Sequence, residues 1–228
     1  MTDTHLQQVR ERITVLGKLM FDRFLTDIAG GNISARVGDR ICISPRYAGS
    51  RYMWHLRPEQ VLVVDRAGNQ LDGEGEISRE SKVHLQLYED FPEAQGIIHA
   101  HPRNVMAFVA ARKSIPSILE STRKFGEIKV TSAFAPAHSN ELANLVAEAM
   151  HGQEECLRKQ AAIVIARWHG IFSMGITVEA ALDAVERIDL SAYILLHSGA
   201  FSGFPNSADL AATWHDALEE DVHSYQKK

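Results

Sequence analysis

The stretch Ile97-Ile98-His99-Ala100-His101-Pro102 constrains the fold more than any other segment of the chain. Two isoleucines carry the backbone inward as a strand, and because strand side chains alternate with period two, His99 and His101 share one face. Pro102 has no amide hydrogen to donate and ends the strand at once. A fold built on this segment must therefore present two imidazoles at the mouth of a buried strand, a metal-ligand geometry. In a chain with 11 histidines the pair alone is a weak signal. Its meaning depends on whether the rest of the chain supplies a third ligand, a base and a substrate cradle.

Periodicity places the surroundings. Leu6, Val9, Ile13, Leu16, Leu19 and Met20 recur at helical spacing and Phe24 extends the face, which predicts an amphipathic helix over about 5–26. Ala29-Gly30-Gly31-Asn32 then reads as a loop, followed by a hairpin in which Gly38-Asp39 joins Ile33–Val37 to Arg40–Ser44. Residues 46–57 read as an irregular basic and aromatic loop before the strand Val61–Asp65, and 71–76 as a glycine- and acid-rich connector. Ser78 is the expected N-cap of a helix carrying Val83, Leu87 and Phe91, with Glu80 in its first turn. After the histidine strand come a helix over 104–112, a short strand at Ile128-Lys129-Val130, a helix capped by Ser139 and a buried strand Ala161–Ala166. A further apolar run Ile171–Met174, a long helix capped by Thr177 and a polar helix over about 207–224 follow. Strands and helices interleave, with hairpin-like pairs and no glycine fingerprint after the first strand. The fold class is α/β, a mixed sheet with helices on both faces and no dinucleotide site.

Composition narrows the function classes. The 228 residues, 45% hydrophobic and 23% charged, suit one domain spanning 1–228. A net charge of −5 argues against a nucleic-acid partner, since that surface needs a basic bias. No apolar run reaches membrane-spanning length, Ala161–Ala166 being stopped by Arg167, and the N-terminus lacks the apolar core of a secretory signal. Cys42 and Cys156 have no C-x-x-C partner and read as reduced thiols, so the expected location is cytoplasmic.

His169 stands between two apolar strands and before a glycine, so it too falls where a strand meets a turn. His99, His101 and His169 then form the pattern of a catalytic zinc: three protein ligands and an open fourth position able to polarise a carbonyl or enediolate oxygen. Glu80, at the start of the helix leading into the histidine strand, is the candidate acid/base.

Taken in order, Gly31-Asn32-Ile33-Ser34, Ser44-Pro45, Ser78-Arg79-Glu80 with His84, Ile98-His99-Ala100-His101 and Trp168-His169-Gly170 resemble the class II aldolase/adducin family over about residues 6–200. The resemblance implies a three-layer α/β/α fold with a mostly antiparallel sheet and a homotetramer with sites between subunits. It implies Zn²⁺, or another divalent transition metal, on the three histidines, with Glu80 as catalytic acid/base. It also implies that Gly31, Asn32, Ser44 and Ser78 hold the phosphate of a small substrate.

The chain departs from the family pattern at three places. Arg79 replaces a serine of the sugar-phosphate aldolases, which suits a planar carboxylate as well as phosphate. The turn from Ser44 to Tyr52 is longer than usual. Glu120 falls where fuculose-type enzymes place a tyrosine that protonates the leaving aldehyde. The resulting expectation is a zinc-dependent aldolase cleaving a small anionic ketose or keto-acid through an enediolate. The alternatives are a zinc-dependent decarboxylase on the same fold and a non-catalytic interaction module like the adducin head.

Overall fold

In the computed structural model, which describes residues 3–198, one eight-stranded sheet carries helices on both faces. The strands are β1 Asn32–Val37, β2 Arg40–Ile43, β3 Leu62–Asp65, β4 Gln70–Asp72, β5 Gly96–Ala100, β6 Lys129–Val130, β7 Ala161–Ala166 and β8 Gly170–Gly175. Their order across the sheet is β4-β3-β2-β1-β5-β8-β7-β6, and every neighbouring pair is antiparallel except β6 with β7. The sheet is thus mixed and mostly antiparallel, with β1, β5 and β8 at its centre.

The helices are α1 Asp3–Asp22, α2 Ala48–Tyr52, α3 Ser81–Asp90, α4 Val105–Ala111, α5 Asn140–Met150, α6 Glu154–Lys159 and α7 Val178–His197. α1, α4 and α7 cover one face, where Ile13, Met20, Ile98, Ala100, Ile163 and Val185 form one apolar cluster. α3, α5 and α6 cover the other, where Leu87, Ile97, Val146, Val164 and Phe172 form a second. Strand alternation explains the division: Ile97 faces one cluster and Ile98 the other. Each fully buried side chain of this size stabilises by roughly 1.5–3 kcal/mol.

Local chemistry decided several boundaries. Ser139 and Thr177 do cap α5 and α7, their hydroxyls accepting from the Leu142 and Ala180 amides at 3.0 Å each. The Gly38-Asp39 turn closes β1 on β2, with Gly38 at φ +64°. Other expectations need correction. α1 stops at Asp22, and Phe24 turns out at φ +58°, 56% exposed, with the Arg103 guanidinium 4.0 Å over its ring. Ser78 is not an N-cap. α3 begins at Ser81 with Glu80 in the capping position, because the Ser78 hydroxyl accepts from the Asn32 side chain and the Glu80 amide. The 46–57 loop contains α2 and the fully buried Trp54, the 71–76 connector begins with the last residues of β4, and 154–159 forms α6. Trp168 is 54% exposed and stands near Phe134 and Arg112. The helix anticipated over 207–224 lies outside the described residues.

Gly96 opens β5 against the start of α7: a Cβ there would sit 2.2 Å from Val178 Cα. Backbone cannot yield as a flexible side chain can. Gly96→Ala is therefore expected to destabilise the protein by about 1–3 kcal/mol or more, read as a lowered thermal midpoint. An unchanged midpoint would show that α7 is free to lift from the sheet.

Candidate functional site

A cleft of about 290 Å³ opens at the end of the central strands. Its walls come from the chain entering β1 (Gly30, Gly31, Asn32), the turn after β2 (Arg46, Tyr47), Ser78-Arg79-Glu80 before α3, His99 and His101 at the exit of β5, His138 before α5, and His169 in the turn between β7 and β8. Register accounts for the meeting of distant segments. Asn32 of β1 and Phe172 of β8 both pair with His99, and the Phe172 ring stacks on the His99 imidazole with centroids 4.4 Å apart.

The three imidazoles converge, with ligand nitrogens within 4.8 Å of one another. Hydrogen bonds assign the ring protons of two of them. His99 Nδ1 lies 2.9 Å from the Ile171 carbonyl, which can only accept, so Nδ1 carries the hydrogen and Nε2 a free lone pair. His101 Nδ1 is 3.3 Å from Asp27 Oδ2, which likewise leaves Nε2 as the lone-pair atom. That Nε2 is buried and has no hydrogen-bond partner. His99 Nε2 and His169 Nε2 stand 3.2 Å apart, and the Glu80 carboxylate reaches both, Oε2 to His99 at 3.1 Å and Oε1 to His169 at 2.8 Å.

Burial pushes the His99 ring down to about 3, so it is neutral at pH 7. Burial alone would raise the Glu80 carboxyl, but the charge of His99, present only while that ring is protonated, and the hydrogen bonds from His169 and the Asn32 amide hold the group below the usual carboxylate range. Imidazole nitrogens and carboxylate oxygens thus point into one small volume. Such a donor set suits a divalent transition metal held by His99, His101 and His169. The Asp27 carboxylate behind His101 and the Ile171 carbonyl behind His99 orient those two rings, as partners of metal-bound histidines do.

The remaining anticipated residues divide. Gly31, Asn32, Ser78 and Arg79 line the cleft with Glu80. Arg79 is exposed and makes no ion pair among the described residues, whereas Arg46 pairs with Glu76 at 2.8 Å. The amides of Ala29 and Gly30 are already taken by Asp27 Oδ1 at 2.8 and 2.9 Å, which narrows the backbone available for an anion. Ser44 does not line the cleft. It is fully buried and its hydroxyl accepts from the Ile33 amide at 3.1 Å. Glu120 stands in a separate basic recess with Arg123, Lys124, Lys159 and Arg187.

His138 is the group that spacing did not place. It lines the cleft with Nδ1 3.7 Å from Glu80 Oε1, and a loop histidine offers no periodicity by which to find it. Its backbone is left-handed at φ +69°, as are those of the rim residue Tyr47 at +65° and of Trp168, next to His169, at +56°.

Comparison with known proteins agrees with this geometry. The family model "Class II Aldolase and Adducin N-terminal domain" matches residues 11–196, and the chain belongs to that family. Among curated relatives it is similar to a methylthioribulose-1-phosphate dehydratase of Methylococcus capsulatus, 29% identical over 83% of this chain and 93% of that protein. It is also similar to a 5-deoxy-D-ribulose 1-phosphate aldolase of Bacillus thuringiensis, 26% identical over 83% of this chain and 84% of that one. Among solved structures an L-fuculose 1-phosphate aldolase shares the fold with a TM-score of 0.76, at 23% identity over 91% of this chain and 96% of the other.

Gly170 must stay small for the rings to converge, since a Cβ there would meet His101 Cδ2 at 2.6 Å and His99 Cε1 at 3.0 Å. Gly170→Ala should weaken metal affinity about 10- to 100-fold in a competition titration against a chelator, and unaltered affinity would separate these rings from the metal. Burial also pushes His84 down to about 4, against the opposing pull of the Glu80 carboxylate. The unfolded ring protonates near 6.5, so the contribution to stability is complete above that value and lost as pH falls toward 4. Between pH 7 and pH 5 it should amount to roughly 2 kcal/mol, seen as a falling urea midpoint. The fall should be shallower in His84→Gln, and an equal fall would exclude this ring as the source.

Proposed function

We propose that the chain is a zinc-dependent lyase that performs reversible aldol cleavage of a small anionic ketose or keto-acid. The observation that carries this reading is the convergence of a carboxylate with three imidazole nitrogens at the floor of one cleft. A divalent metal held there supplies, when bound, a Lewis acid that draws charge from the hydroxy and keto oxygens of the substrate and acidifies the adjacent C–H. In the condensation direction Glu80 is the base for that proton; in cleavage it gives the proton to the donor carbon after the carbon–carbon bond breaks, while the hydroxyl proton of the departing aldehyde leaves to solvent. Hydrogen bonding keeps it ionised, the form a base needs, while lowering its basicity. Arg79 and the Gly31–Asn32 backbone, with Ser78 beside them, are placed to take the anionic end, and His138 faces Glu80 across the cleft.

Two curated relatives bear the names of enzymes acting on ribulose 1-phosphate derivatives, which favours a phosphorylated ketose over a keto-acid. The first of them is named a dehydratase, and that supports a second reading: the same proton abstraction followed by loss of a hydroxyl instead of carbon–carbon cleavage. Glu120 lies apart from this cleft within its own chain, so a role for it in catalysis requires the homotetramer the family resemblance implies, with Glu120 serving a neighbouring subunit's site. Among the described residues no helix is long and apolar enough to cross a membrane, in keeping with a water-soluble substrate met in the cytoplasm.

The test is deuterium exchange at the hydroxymethyl carbon of dihydroxyacetone phosphate in heavy water, followed by a screen of five-carbon ketose 1-phosphates for released aldehyde or for water loss. Glu80→Gln should retain about one metal per chain and lose exchange by about 100- to 10,000-fold. Exchange at the wild-type rate would remove Glu80 from the role. Aldehyde release identifies cleavage, and a dehydrated ketone without aldehyde identifies the second reading.

A further inference from the structure

Behind Glu80 lies a buried polar row that the proton transfer does not itself use. On α3, His84 and Tyr88 follow Glu80 at intervals of four and stand on one helical face. On β1, Asn32 and Ser34 stand two apart on the sheet face that α3 covers. Four helical residues rise about 6 Å and two strand residues about 6.6 Å, so the two rows match step for step. The contacts run Tyr88 to Ser34 at 2.9 Å, Ser34 to His84 Nδ1 at 2.7 Å, His84 Nε2 to Asn32 Oδ1, and Asn32 Nδ2 to Glu80 Oε2 at 3.2 Å. Asn32 Nδ2 also lies 3.3 Å from the Ser78 hydroxyl.

One end sets the direction of the whole. The Asn32 NH₂ donates to Glu80 Oε2 and lies within reach of the Ser78 hydroxyl, so the carbonyl oxygen faces His84. His84 Nε2 must then carry the hydrogen, which leaves Nδ1 of the neutral ring as acceptor. Ser34 donates to that nitrogen and its oxygen accepts from the Tyr88 hydroxyl. Each link has one possible orientation, and all point toward Glu80. His84 and Ser34 are fully buried and Tyr88 nearly so, in a layer where leucine or phenylalanine would fill the space without needing partners.

We propose that this one-way chain makes His84 a positioning residue for the proton transfer: it locks the Asn32 amide so that its NH₂ holds the Glu80 carboxylate toward the reacting carbon. The chain Glu80-x-x-x-His84-x-x-x-Tyr88 opposite Asn32-x-Ser34 is then part of the catalytic apparatus, although three of its members never touch substrate. The inference rests on the reading of Glu80 as the group that moves the proton.

The test uses the metal-loaded full-length protein with dihydroxyacetone phosphate as probe. His84→Leu should keep one metal per chain and a KM within about threefold, while kcat for deuterium exchange falls about 10- to 100-fold. His84→Gln, which restores a donor facing Asn32, should recover most of the loss. Ser34→Ala and Tyr88→Phe should lose progressively less, being further from Glu80. A wild-type kcat in His84→Leu, or a His84→Gln no better than His84→Leu, overturns the proposal. If His84→Leu does not fold, Ser34→Ala decides, and an unchanged kcat there overturns it. Nitrogen-15 NMR of the wild type reads His84 directly: the hydrogen should sit on Nε2, and a ring with its hydrogen on Nδ1 overturns the chain's direction even if the wild type exchanges nothing. Absence of exchange in the wild type would count against the proposed function instead.

Discussion

The register of β5 between β1 and β8 is the constraint on which the site depends. Side chains alternate along a strand, so a slip of one residue would send His99 into the apolar layer under α7 and bring Ile98 to the cleft. The pairing as it stands brings Asn32 to one side of His99 and Phe172 to the other, and sets the Ile171 carbonyl where it accepts from the ring. Apolar residues enforce this register. Ile97 and Ile98 bury in opposite clusters, so a slip would strip both faces of the sheet at once. A site made of polar groups is thus aligned by hydrophobic burial.

The parts of the fold that were legible in the sequence are those set by nearest neighbours. The β1–β2 hairpin, the buried strands β7 and β8 and the caps Ser139 and Thr177 follow from alternation, turn residues and local side-chain oxygens. Ser78 had the same local qualifications as Ser139, yet its oxygen is claimed by Asn32, 46 residues earlier in the chain. Sequence spacing carries no record of such competition. α2 and α6 are too short to show a period, and Trp54 is buried because the backbone of Gly17 on α1 makes room for its ring.

The site was legible to a similar depth. That the three histidines and Glu80 lie together was legible because strand ends and a helix start mark them. His138 had no spacing to mark it, and Ser44 was carried over from a motif although its hydroxyl serves the β1 backbone. His84 stood in view one turn after Glu80. Its partner Ser34 lies on another element, and only the matched rise of helix and strand shows that the two belong to one row.

The left-handed backbones of Tyr47, His138 and Trp168 have a consequence of their own. An L side chain held in that region costs on the order of 1 kcal/mol or more, and glycine at each position would relieve it. Relief would also remove the ring that the unusual backbone turns toward the opening or beside it. Selection for stability alone would erode these side chains, so around this cleft thermal robustness and the shape presented to substrate are set against each other.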